Sequence, residues 1–330
     1  MQVRRLGRNG PLVSAIGLGC MGMSDFYGPA DTNESIATIH ASLEAGVTLL
    51  DTGDFYGMGH NEMLLRDALK GRTRNSYVLS VKYGAQRLPS GEFIGFATGA
   101  AATKTALTYS LKRLGVDYID IYRPSRINPS APIEETIGAI SDLVKAGYVR
   151  HIGLSEAGPE SIERAAKVHD IVDLQIEYAI ASRTIEKTIL PKLRERGIGV
   201  TAYGVLSRGL LSNGALKGES QSGGRHHFPR FQGENFQRNL KLVEALADMA
   251  STKGATVAQV AIAWVLSKGD DIVPLVGARR RDRLTEALGA LSLRLTADDL
   301  AAIDRLMPAG AIAGTRYAAE QMAWLDSEKG

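Results

Sequence analysis

"VTLLDTGDFYGMG", residues 47–59, begins like a buried strand and ends like a site. Its first four residues are apolar or β-branched and run straight into a carboxylate, Asp51; Tyr56 follows five residues later in a loop bounded by glycines. Strands that are apolar along their whole length are buried on both faces, as in a parallel sheet covered by helices. A strand of that kind that ends on Asp puts a carboxylate at the rim of the sheet.

Eight such runs occur along the 330 residues: 14–19, 47–50, 77–82, 118–122, 149–154, 171–176, 198–203 and 271–276. Helical patterns lie between them. In "DTNESIATIHASLEAG" an Asp-x-x-Glu capping box at Asp31 and Glu34 precedes Ile36, Ile39 and Leu43 at helical spacing, and Gly46 can end the helix. "APIEETIGAISDLVKAG" carries Pro132 near a helix start and Gly147 beyond its end, and 256–268 reads as a buried helix. Alternating strands and helices with eight strands predict a closed (β/α)8 TIM barrel, an α/β fold. The competing arrangement is an open doubly wound sheet, which ordinarily carries G-x-G-x-x-G after an early strand; none occurs here.

One barrel domain over 1–330 is expected, with additions at both ends. Asn9-Gly10 sits between two short β-like runs and predicts a tight hairpin turn within 1–13. Residues 204–236 form a long, polar, glycine-rich connection, read as a mobile loop at the C-terminal face, and 307–330 as a largely irregular tail.

A net charge of +3 is too small to argue for nucleic-acid binding. Hydrophobic content of 44% and charged content of 23% suit a soluble globular chain. The only cysteine, Cys20, excludes an internal disulfide. No signal peptide or membrane-spanning run is read, so cytoplasmic localisation is the expectation, and no metal site is read.

Barrel active sites form where strands end. Asp51 ends the second run with Tyr56 after it, Lys82 ends the third, and Ser155 and Glu156 end the fifth. Gln175 and Glu177 lie at the end of the sixth, Tyr203 at the end of the seventh, and Arg279, Arg280, Arg281 and Arg283 follow the eighth. An ammonium beside a phenol favours the phenolate and lowers its pKa, and a carboxylate would hold the ammonium in place. Tyr56 could then protonate a carbonyl oxygen as hydride reaches the carbon. Spacing alone allows equally that Asp51 and Lys82 are a structural ion pair and Tyr56 a packing residue. The arginine run suits phosphate through its fixed donor geometry, or is a solvated helix start. Arg123 and Arg126 read as surface charges, the alternative being attraction of an anionic substrate.

"DTGDFYGMGHNE" (51–62), "LSVKYG" (79–84), "LKRLGVDYIDIY" (111–122), "HIGLSEAG" (151–158), "VTAYGVLSRGLL" (200–211) and "PRFQGENF" (229–236) come in an order and spacing that resemble the aldo-keto reductases over essentially the whole chain. The resemblance implies a barrel with an N-terminal hairpin plug and a reversible carbonyl–alcohol reaction with NADPH/NADP+. It implies catalytic roles for Asp51, Tyr56 and Lys82, and nicotinamide carboxamide contacts for Ser155 and Gln175. Glu156 stands beside these where many relatives have Asn. Tyr203 falls where an aromatic ring stacks on the nicotinamide, and Leu206, Arg208 and Gly277 among further cofactor contacts. Arg279 and Arg283 fall in the 2′-phosphate segment and Glu286 at the adenine, while Ala287 replaces a common Asn.

The resemblance breaks at the fourth catalytic position. "YRPSRINP" (122–129) has Ser125 where the family pattern has His. His60, His226 and His227 lie nearest in sequence to expected active-site loops, and none is an obvious replacement. A serine cannot carry charge; it can hold a water or bond the substrate oxygen. Two functions follow: a reductase of small-molecule aldehydes or ketones, or a weakly catalytic NADP(H)-binding relative with a regulatory or redox-sensing role. Double-bond reduction is a third. A homo-oligomer is compatible with all of them.

Overall fold

The computed structural model describes residues 1–218 and 223–329. A hairpin of β1 (Val3–Arg5) and β2 (Leu12–Ser14) leads into the barrel. The barrel strands are β3 (Gly17–Gly19), β4 (Leu49–Gly53) and β5 (Val78–Tyr83), then, after a second antiparallel hairpin of β6 (Ala85–Arg87) and β7 (Phe93–Phe96), β8 (Ile119–Pro124) and β9 (Val149–Ser155). They continue with β10 (Ile171–Glu177), β11 (Gly199–Tyr203) and β12 (Ile272–Gly277). Each pairs in parallel with its neighbour, and β12 closes on β3 through Leu275↔Gly17, Val276↔Leu18 and Gly277↔Gly19. All eight runs read from the sequence are barrel strands.

Alternation along each strand sorts the side chains. Leu50, Leu79, Val81, Ile152, Leu154, Leu174, Ile176, Val200 and Val276 join the helices in one large apolar core. A smaller apolar cluster of Leu49, Ile121, Val172, Val273 and Leu275 takes in Leu6 and Val13 from the hairpin. The hairpin sits at the N-terminal ends of the strands: Arg8 N donates to the Gly197 carbonyl at 2.7 Å, and Arg4 donates to the carbonyls of Gly269 and Ile272. The barrel floor is thereby stoppered.

The hairpin turn differs from expectation. Leu6 N bonds Pro11 O at 3.1 Å around four intervening residues, and the positive φ falls on Gly7 (66°), not on Asn9 or Gly10. Asn9 instead donates its amide to Asp170 at 2.8 Å. The capping box is half realised. Asp31 caps the helix Thr32–Glu44 by accepting from Glu34 N, but the Glu34 carboxylate turns away to Arg281. Helices Ile133–Lys145 and Val257–Leu266 form where expected, the latter with a complete box between Thr256 and Gln259.

Within 204–236, the described residues include turns of helix at Ser207–Gly209, Asn213–Leu216 and Pro229–Phe231, and the helix Gly233–Thr252 starts inside the segment. Residues 219–222 of this expected mobile loop, and residue 330 of the tail, lie outside the described residues. The tail is fastened at several points: Gly158 N donates to Asp326 Oδ2 at 2.7 Å and Ser327 N to Glu156 O at 3.0 Å. Among the described residues no helix is long and apolar enough to cross a membrane.

Candidate active site

The upper barrel interior is polar, built by the inward positions whose outward neighbours form the core. Lys82 Nζ donates to Asp51 Oδ1 at 2.5 Å, both side chains buried. Asp51 Oδ2 accepts from Ser80 Oγ at 2.8 Å and from Gln175 Nε2 at 2.7 Å. One layer lower, Arg123 donates to Ser80 Oγ at 2.9 Å and pairs with Asp173 at 3.1 Å, both fully buried; Thr201 also donates to Asp173. A single polar chain thus runs Asp173–Arg123–Ser80–Asp51–Lys82. A Cβ on Gly153 would stand 2.5 Å from Asp173 Oδ1 and 3.1 Å from Arg123 Nε, so this glycine leaves the room that the buried pair fills. Arg123 is therefore not a surface charge.

Lys82 Nζ also lies 5.0 Å from the Tyr56 ring centroid. Tyr56 is buried at the start of a tight turn in which Gly57 and Met58 have φ of 55° and 53°. Asn61, which sequence reasoning missed, holds this turn to the barrel: it accepts from Thr52 Oγ1 at 2.7 Å and donates to Cys20 O at 2.9 Å and Ser24 Oγ at 2.8 Å. The expected lowering of the Tyr56 pKa is not found. Burial first, and the Asp51 charge second, hold it well above the ordinary phenol value, and Arg126 opposes them. Lys82 is itself pushed down by burial against the raising effect of Asp51.

Ser125, next to the end of β8, is buried, and its Oγ has no hydrogen-bond partner. The buried Ser155 Oγ at the end of β9 is likewise unpartnered. Two orphaned hydroxyls at one rim suit a polar ligand, since buried polar atoms are ordinarily satisfied.

Glu156 stands in a different relation. It is fully buried with φ of +51°, and both oxygens are engaged by the protein. Oε1 accepts from Tyr203 OH at 2.6 Å and Arg316 Nη1 at 2.8 Å, and Oε2 from Arg316 Nη2 at 2.6 Å and Ser327 Oγ at 2.5 Å. Burial works to raise its pKa, but Arg316, Arg126 and Ser327 outweigh it and hold the carboxyl down at about 2. Expected beside the cofactor, Glu156 is committed instead to the tail and to Tyr203, whose hydroxyl also meets Tyr317 at 3.0 Å.

Over the mouth, Arg208 pairs with Glu177 at 3.2 Å and lies 4.5 Å from the Phe228 ring and 4.4 Å from Tyr317. Phe228 also packs on Phe26 at 5.5 Å. Leu206 is partly buried against the core, and Gly277 is exposed at the end of β12. Arg279 donates to the carbonyls of Tyr27, Gly28 and Pro29 at 3.0–3.3 Å. Arg283 and Glu286 pair at 3.1 Å on the exposed face of the helix Arg281–Leu288. Ala287 is buried on the same helix. His60 bonds Ser24 at the surface, and the His226 and His227 rings lie 3.9 Å apart, tilted by 45°.

The chain, a stoppered parallel barrel with Asp, Lys and Tyr clustered at its C-terminal rim, belongs to the aldo/keto reductase family, whose pattern matches residues 15–308. It is 38% identical over 322 residues to "Probable aldo-keto reductase 1" of Glycine max, covering 96% of this chain and 92% of that one. Among solved structures, it resembles the glycerol dehydrogenase AKR11B4 from Gluconobacter oxydans (TM-score 0.81, 27% identity, 92% of this chain and 94% of that one). It also resembles the aldo-keto reductase AKR11C1 from Bacillus halodurans in its holo form (TM-score 0.79, 30% identity, 94% and 97%).

Proposed function

We propose that this chain is an NADPH-dependent reductase that converts aldehydes or ketones to alcohols, with Tyr56 as general acid. The observation that carries this reading is Lys82 Nζ held between Asp51 Oδ1 at 2.5 Å and the Tyr56 ring at 5.0 Å, at the rim where barrel chemistry occurs. NADPH, when bound, supplies hydride to the carbonyl carbon. Tyr56 gives its proton to the carbonyl oxygen, and solvent returns a proton to the phenolate, so that carbonyl compound, NADPH and H+ yield alcohol and NADP+. A phenol with a raised pKa keeps its proton at neutral pH, which suits the reducing direction. As alkoxide character develops on the substrate oxygen, the proton has a strong acceptor.

The chain's own residues fit the cofactor. The free Ser155 hydroxyl and the Gln175 amide are assigned to the carboxamide, and the Tyr203 ring to the nicotinamide face. Leu206, Arg208 and Gly277 are assigned to the middle of the cofactor, Arg279 and Arg283 to the 2′-phosphate, and Glu286 to the adenine. Glu156 is assigned to holding Tyr203, not to touching the cofactor. Ser125 is assigned the polar role at the fourth position, alone or through a water.

The test is NADPH oxidation by the full-length enzyme over a panel of aldehydes and ketones. NADPH binding with no turnover on any member would replace this reading with that of a binding relative, for which the Ser125 substitution is the motive.

A further inference from the structure

Cations around the barrel mouth are largely matched. Lys82 pairs with Asp51, Arg123 with Asp173, Arg208 and Arg230 with Glu177, and Arg316 with Glu156 and Glu328. Arg126 stands apart. It follows Ser125 in the segment after β8, is partly buried, and has no carboxylate within ion-pair distance among the described residues. Its guanidinium donates from Nη1 to the Ser125 carbonyl at 2.6 Å. Its charge is felt at Tyr56, Lys82, Glu156 and Tyr203, so it lies among the residues of the mouth. The neighbouring Ser125 Oγ is buried and unpartnered.

Glu156 lies near enough to favour the charged guanidinium but is itself bonded to Arg316, so the Arg126 fork is left without a directly bonded carboxylate, and its planar geometry suits one. We infer that Arg126 anchors a carboxylate on the substrate, so that the preferred substrates are carbonyl compounds bearing a carboxylate, with the reacting oxygen at Tyr56 and Ser125. The inference rests on the reductase reading for the identity of the reacting group, though not for the anion site itself. It also gives the missing histidine a consequence: with the small Ser125 in its place, an anionic substrate can lie between the phenol and the guanidinium.

The experiment compares 3- and 4-carboxybenzaldehyde with the corresponding carboxamides, using the full-length enzyme and NADPH. The carboxylate should be favoured in kcat/KM by about tenfold or more, chiefly through KM, as a charge-assisted contact would give. Arg126→Gln should bring the ratio of each pair close to one, and Arg126→Lys should retain part of it. Wild-type enzyme supplies a second readout that needs no variant: benzoate should inhibit reduction of a neutral aldehyde competitively and benzamide should not. Equal kcat/KM for acid and amide in both pairs, or equal inhibition by benzoate and benzamide, overturns the anion site. Turnover of the amides without that preference would leave the reductase reading standing. Absence of turnover on all four aldehydes, with thermal stabilisation by benzoate that Arg126→Gln abolishes, would remove the reductase reading and uphold the anion site.

Discussion

Glu156 and Arg316 are 160 residues apart in sequence, yet they share two hydrogen bonds of 2.8 and 2.6 Å, which clamp the tail onto the end of β9. Removing one partner of a buried pair costs up to about 3–5 kcal/mol when the other charge is left alone, and Glu328 beside Arg316 and Ser327 beside Glu156 place this pair at the lower end. Glu156→Gln and Arg316→Met should each destabilise the fold by about that much in urea unfolding, and the double variant by less than the sum. The pH dependence has a definite sign. The Glu156 pKa of about 2 lies below its unfolded value. Its contribution is therefore complete above the ordinary glutamate range and lost as pH falls toward 2. Unfolding free energy measured from pH 6 down to 3 should decline more gently in Glu156→Gln than in wild type.

Tyr56→Phe keeps the ring and removes the proton. Turnover should fall by about 10²–10⁴-fold while NADPH still binds, read by steady-state kinetics and cofactor fluorescence. Lys82→Met should impair turnover as well, by leaving Asp51 with no cation between it and the phenol. Near-normal turnover of Tyr56→Phe, with chemistry shown to be rate-limiting, would place the acid elsewhere.

Arg279→Ala and Arg283→Ala should weaken NADPH by about 1–3 kcal/mol and NADH much less, because the contacts proposed for them are to the 2′-phosphate. Arg279 also ties down the carbonyls of Tyr27, Gly28 and Pro29, so its variant should loosen that loop and Arg283→Ala should not. Titration of both cofactors by fluorescence decides the matter; equal losses for the two would remove the phosphate assignment.

Ser125→Ala removes an unpartnered hydroxyl. If Ser125 Oγ meets the reacting oxygen directly, turnover should fall by about 10²-fold, as for other preorganised donors, with NADPH affinity unchanged. If this position faces the carbonyl, Ser125→His should improve small aldehydes and harm bulky ketones, which the longer side chain would crowd. Unchanged rates for both classes would show that this position does not face the carbonyl.

The barrel was legible because most outward positions on the strands are apolar and the runs stand out against the helices between them. The placement of Asp51 and Lys82 at strand ends, with Tyr56 in the loop that follows, was legible as well. The layer beneath was not. Arg123, Asp173 and Thr201 look like solvent-facing residues in a linear pattern, and only closure of the barrel turns them toward one another. The tail partners of Glu156 were hidden by distance along the chain. Nothing near "GLSEAG" announces Arg316 or Ser327, although an unexplained buried carboxylate invites a search for a distant cation. The hairpin turn misled because Asn-Gly is a local preference, whereas packing of Gly7 against the Val172 carbonyl, where a Cβ would approach to 2.3 Å, selects the residue that takes the left-handed conformation.

The stopper formed by Leu6, Val13 and Arg4 makes the barrel a blind well, open at one end. With Tyr56 as the proposed acid, a proton that leaves it has to be replaced from above, past the product or after its departure. Refilling of the phenol and clearing of the mouth therefore share one route. On that reading, the return of the enzyme to its starting state depends on the passage of solvent and product through that single opening.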